Sequence, residues 1–205
     1  MDEWGQLRAR LAEAGVDGVE DLGRFTSKPE FFGGSRFDER GAMPVLIEAL
    51  PTLSDLTLIG AVAGHLRRPW ARPKAFDALL ATFEAVAPHD ASSAGWHLGD
   101  AVGTAAAANH VETLLRICQD KRYGVARQMV VHSLRRFKRA PFVPDTLLAL
   151  IEDPDVALHA MGSLRSVLGA REALPHLERV ERERAGTAVG DQATREAKKA
   201  RKAIT

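Results

Sequence analysis

The stretch TLLRICQD, residues 113–120, comes back as TLLALIED at 146–153, keeping Thr-Leu-Leu and a closing Asp at an offset of 33 residues, with an Ile between them in both. Downstream, VVHSLRRF (130–137) is matched by AMGSLRSV (160–167) through a shared Ser-Leu-Arg at an offset of 30. The three-residue difference falls between the two blocks, DKRYG against DP, in a turn, where changes of length cost little. Each unit therefore reads as a helix A, a turn opening at Asp, a helix B and a link marked by Pro or Gly.

Further copies follow outward from this pair. MPVLIEAL with PTLSDLTLIGAVAGHLRR makes one, closed by PWARP, and FDALLATFEAVAP with DASSAGWHLGDAVGTAAAAN makes the next. REALPHLERVERER with TAVGDQATREAKKARKAI forms a weaker last pair. Alternating β-branched and aromatic runs are missing, and apolar residues recur at helical spacing, so the chain is predicted to be all-α. Short acceptors precede several B helices and are expected to cap them: Ser54 or Asp55, Asp90 or Ser92, Asp153 or Asp155. Pro44, Pro144 and Pro175 are expected near the starts of A helices, where a missing N–H is harmless.

Two-helix units of about 30–35 residues define an α-solenoid. The chain resembles the HEAT-like repeats, in particular the short kind first described in phycobilin lyases. The resemblance covers roughly residues 41–205 and rests on 113–137, on its partner 146–167 and on MPVLIEALPTLSD at 43–55. It implies an array of about five helix pairs, at approximately 43–73, 74–110, 111–143, 144–171 and 172–205. Residues 1–40 differ. The amphipathic DEWGQLRARLAEAG is expected to end at Gly15, and Phe25, Phe31, Phe32 and Phe37 concentrate in one loop. An array's first repeat exposes an apolar face, so this segment reads as an N-terminal helical cap, or alternatively as a mobile ligand-binding loop.

Resemblance to such arrays places partners on the concave side, lined by B helices. Ala126, Met129, Val130, Leu134 and Phe137 form an apolar stripe and are expected to be core. Arg127, Gln128, Val131, Arg135 and Lys138 fall on the other side. Transferring that register back along the array puts Trp96 opposite Gln128 and Asp100 opposite His132. Trp96 then faces outward beside Gly99 and Gly103, either to contact a ligand or to fill a gap between repeats. Between Arg116 and Arg139 eight basic residues meet one acid, Asp120, although the net charge of the whole chain is only +1. A positive patch is expected there, with Arg127 either part of it or bonded to a neighbouring repeat's turn, as the resemblance also allows.

A search for chemistry finds little. The seven histidines make no metal-ligand spacing, and no phosphate loop, dinucleotide fingerprint or nucleophile elbow occurs, so no metal, cofactor or catalytic residue is assigned. His97 and His159 are expected as satisfied core histidines. The single Cys118, in an apolar helical stretch, is expected to be buried and structural. Trp96 and Asp100 do match a Trp and Asp four apart on a concave helix in the HEAT-like alkylpurine DNA glycosylases, which implies an Asp acting near the sugar of a damaged nucleotide. That family lines its cleft with several aromatics from later repeats, whereas here Trp4 and Trp70 precede Trp96 and only Tyr123, Phe137 and Phe142 follow it. No apolar run is long enough for a membrane helix and the acidic start has no signal-peptide core, so a cytoplasmic protein is expected. The reading that results is a non-enzymatic scaffold. Its concave surface at Trp96, Asp100, Arg127, Gln128, His132, Arg135 and Lys138 holds an acidic protein segment. Nucleic-acid binding through the basic patch is the alternative, and the oligomeric state is left open.

Overall fold

Eleven α-helices and no strand make up the described residues, 2–16, 38–90 and 93–204, of the computed structural model. The all-α class is therefore as the periodicity predicts. The Phe-rich loop with Phe25, Phe31, Phe32 and Phe37 lies outside the described residues. The chain divides into two compact units, Met1–Ala106 and Ala107–Thr205.

The first unit contains α1 (Glu3–Glu13), α2 (Glu39–Ala49), α3 (Leu56–Leu66), α4 (Phe76–Val86) and α5 (Ala94–Ala105). Asp2 starts α1 by accepting from the Gly5 amide at 2.8 Å, and the helix ends where Gly15 takes φ 75°. Asp55 caps α3, accepting from the Thr57 and Leu58 amides at 2.8 and 3.0 Å. Glu3 of α1 reaches the same corner: its carboxylate accepts from the Ser54 and Asp55 amides, each at 3.0 Å, and from the Ser54 hydroxyl at 2.6 Å. Leu7 and Leu11 bury the inner face of α1. α5 packs on both α3 and α4. Gly60 of α3 faces α5: a Cβ there would make ordinary contacts, 3.7 Å from the His97 ring and 3.9 Å from the Ala94 Cα.

The second unit contains α6 (Val111–Gln119), α7 (Gln128–Ser133), α8 (Val143–Leu150), α9 (Ala157–Leu168), α10 (Ala170–Glu183) and α11 (Ala188–Ile204). α6 and α8 are A helices and pack on each other; α9 packs on α7, α8, α10 and α11. That arrangement of hairpin on hairpin is consistent with a helical solenoid. The Ser of the repeated Ser-Leu-Arg has a structural task, because Ser163 Oγ donates to the carbonyls of Val131 and His132, both at 3.3 Å, tying α9 to α7.

Several local expectations are corrected. Pro44 and Pro175 lie inside α2 and α10, since both helices begin earlier than the apolar pattern does. Only Pro144 holds an opening position, in the first turn of α8. The third B helix is broken: a tight 3-10 stretch, Lys121–Arg127, leads into the six-residue α7, and a second one, Leu134–Phe137, leaves it. Gly124 turns the first of these with φ 45°, a conformation that favours glycine. Ala126, Val130 and Leu134 are core as expected, while Met129 and Phe137 are only half-buried and Val131 is buried instead of outward.

Candidate functional site

In the second unit the turn between α8 and α9 organises Arg127. Asp153 accepts from the Asp155 amide at 3.1 Å, which holds the turn, and its other oxygen faces Arg127 Nη1 at 3.0 Å. Arg127 is 0% exposed and spends its fork on four acceptors. Nε donates to the Gly124 carbonyl at 2.9 Å and Nη1 to the Cys118 carbonyl at 2.9 Å, while Nη2 lies 3.4 Å from Asp155. Gln128 Nε2 donates to the Asp155 carbonyl at 2.8 Å. Of the two expectations for Arg127, the bond to a neighbouring turn is met and the outward, partner-contacting position is not. A buried guanidinium needs its charge and donors met, and the neighbouring turn brings two carboxylates to it. Cys118 beneath it is buried, and burial pushes its thiol well above the ordinary range, against the pull of the Arg127 charge.

His132, four residues past Gln128, meets His159 of α9 edge to face, ring centres 6.2 Å apart. His159 is half-buried, but its Nδ1 is buried without a hydrogen-bond partner among the described residues, so it is not the satisfied core histidine expected. Burial and then the neighbouring His132 lower its pKa. Beyond this pair the chain becomes cationic. Arg135, Arg136, Lys138 and Arg139 are exposed, and Arg136 stacks over the Phe137 ring at 5.1 Å. Arg135, Lys138 and Arg139 make no ion pair among the described residues. Of the other basic residues counted into the patch, Arg127 is buried, and Arg122 is bound to both oxygens of Asp120, the closest contact being 2.7 Å. The patch is therefore smaller than the sequence count implies.

In the first unit Trp96 is half-buried, edge-on to His97 with ring centres 5.3 Å apart. His97 is half-buried as well, not core. Gly99 and Gly103 are buried in the packing of α5. Asp100, with 14% of its side chain exposed, is ion-paired with Arg67 at the end of α3. Trp96 and Asp100 thus belong to the first unit. Arg127, Gln128, His132, Arg135 and Lys138 belong to the second, where Arg127 and Gln128 converge on one turn and Arg135 and Lys138 share one cationic edge.

Sequence reasoning missed Phe142. It is 72% exposed, sits at the mouth of α8 with φ 66°, and lies at one side of a groove formed with α6. Its signal is an aromatic between Pro141 and Pro144, where no helical face claims it. Among the described residues, no group of three or more His, Cys, Asp or Glu is arranged to hold a metal ion. No helix there is long and apolar enough to cross a membrane. No family model, curated protein or solved structure matches the chain.

Proposed function

We propose that the chain is a non-enzymatic, cytoplasmic binding module built of about five HEAT-like pairs, and that its second unit engages an acidic protein segment. The carrying observation is the run Arg135, Arg136, Lys138 and Arg139, four exposed cations within five residues that no carboxylate among the described residues pairs at Arg135, Lys138 or Arg139. A folded protein that leaves such charge uncompensated on a rigid edge presents a steering and docking surface for anions. Gln128 and His132 precede it on α7 and extend the same polar side. The cluster is short once Arg127 is subtracted, which favours a compact acidic segment over a long phosphate backbone, whose binding adds cations along a track.

Fluorescence anisotropy decides this, using a labelled Glu- and Asp-rich peptide and a labelled DNA duplex over about 50–200 mM salt. The peptide is expected to bind, and Arg135→Glu with Lys138→Glu to abolish that binding while circular dichroism stays unchanged. Duplex binding with no peptide binding would overturn the reading in favour of nucleic acid.

A further inference from the structure

The backbone of Phe142 opens α8, its carbonyl accepting from the Thr146 amide at 2.9 Å, but its side chain is not explained by folding. Phe142 is the one non-glycine residue with positive φ among the described residues, in a region that disfavours a side chain, and 72% of it faces solvent. A residue that is neither relaxed nor buried points to a use outside the fold. It stands over a groove of about 580 Å³, lined with it by Thr146 of α8 and by Glu112, Leu115, Arg116 and Gln119 of α6. Leu115 is half-buried there, so ring and leucine offer an apolar contact with a polar margin.

Charge selects the occupant. Lys138 and Arg139 lie in the turn that leads directly to Phe142, four and three residues before it, and that much chain reaches at most about 14 and about 11 Å. Of the two acids that line the groove, Asp120 is gripped by Arg122, and Glu112 lies on α6 with Arg116, a cation of the same lining. An apolar ledge beside unopposed cations fits a ligand of the reverse pattern. Resting on the reading above, we infer that the groove at Phe142 takes one bulky apolar side chain of the acidic segment. That side chain lies within about three residues of the carboxylates that meet Lys138 and Arg139. The cations supply attraction and the groove supplies sequence preference.

Two labelled twelve-residue peptides test this, both Glu- and Asp-rich and identical except for a central Trp or Ser. Anisotropy is read for the wild type, for Phe142→Asn and for Lys138→Glu with Arg139→Glu. Asn tolerates the left-handed backbone, so the first variant removes the ring without disturbing the turn. The wild type is expected to bind the Trp peptide about tenfold more tightly, the scale of burying part of an aromatic ring. Phe142→Asn is expected to bind both peptides alike, at the wild-type affinity for the Ser peptide. The charge reversal is expected to weaken both. Equal binding of the two peptides by the wild type overturns the inference while leaving acidic-segment binding intact, as does a preference that survives in Phe142→Asn. If the wild type binds neither peptide, the acidic-segment reading fails and this inference fails with it.

Discussion

Arg127→Ala removes a guanidinium that is completely buried and leaves Asp153 facing a void, with the Cys118 and Gly124 carbonyls unmet. Breaking a buried pair by deleting one partner costs about 3–5 kcal/mol, so urea unfolding should show a loss of that order. Arg127→Lys should recover little of it. An ammonium is a point donor and cannot span acceptors on both sides of a planar fork. A second residue-scale prediction concerns pH. His159 in the folded chain takes up its proton less readily than at its ordinary value of 6.5, because burial and His132 both disfavour the charged ring; burial does the same to His65 despite the nearby Glu39. Unfolding therefore binds protons as pH falls. The stability contributed by the two neutral rings is whole above about 6.5 and is lost progressively below it. Denaturation measured from pH 7.5 down to 5 should show this decline, and His159→Phe should flatten part of it. A pH-independent midpoint would contradict the argument.

At the scale of elements, the docking of α1 depends on a few specific contacts. Its Glu3 carboxylate satisfies the two amides and the hydroxyl at the entrance to α3, and those bonds hold the Glu3 pKa down, the Ser54 hydroxyl contributing most. Orphan amides before a helix must find an acceptor. Glu3→Ala hands them to water and leaves α1 held by Leu7, Leu11 and the Arg10–Glu48 ion pair at 3.1 Å. Amide hydrogen exchange should then quicken across α1 and the Ser54–Asp55 corner, with α8 to α11 unchanged. Uniform protection in the variant would show that the Glu3 bonds do not seat the helix. In the second unit the corresponding tie is Glu196 of α11, buried between Arg165 of α9 at 2.7 Å and Lys199 at 2.6 Å. Burial raises its pKa, but the two cations outweigh burial and the net shift is downward. This acid ties α11 to α9.

For the whole molecule, the net charge of +1 hides how many cations are already spent. Arg201 binds Glu178 and Glu181, Arg179 binds Glu152 and Glu183, and Arg68 binds Glu39. The expected salt dependence of peptide binding is accordingly modest, with the slope of a few charges set by Arg135 to Arg139. A slope worth six or more phosphates would require a far larger basic surface.

The all-α class was legible in the sequence, because helical periodicity is a local property. Capping was legible only in part: Asp55 caps α3 as its position implies, but α9 starts after Val156 with no side-chain cap from Asp153 or Asp155, whose carboxylates turn to Arg127 instead. The Ser-Leu-Arg echo marks α7 and α9, which pack together. Only the tertiary structure decided which outward-looking residues stay outward. Arg127 and Arg135 look alike as exposed cations on one helical stretch. One is buried because Asp153 and Asp155, 26 and 28 residues on, arrive beside it; the other meets no such turn. Trp96, Asp100 and Phe142 follow the same logic. Exposure is set by what the next element brings, and the spacing within one helix does not contain that information.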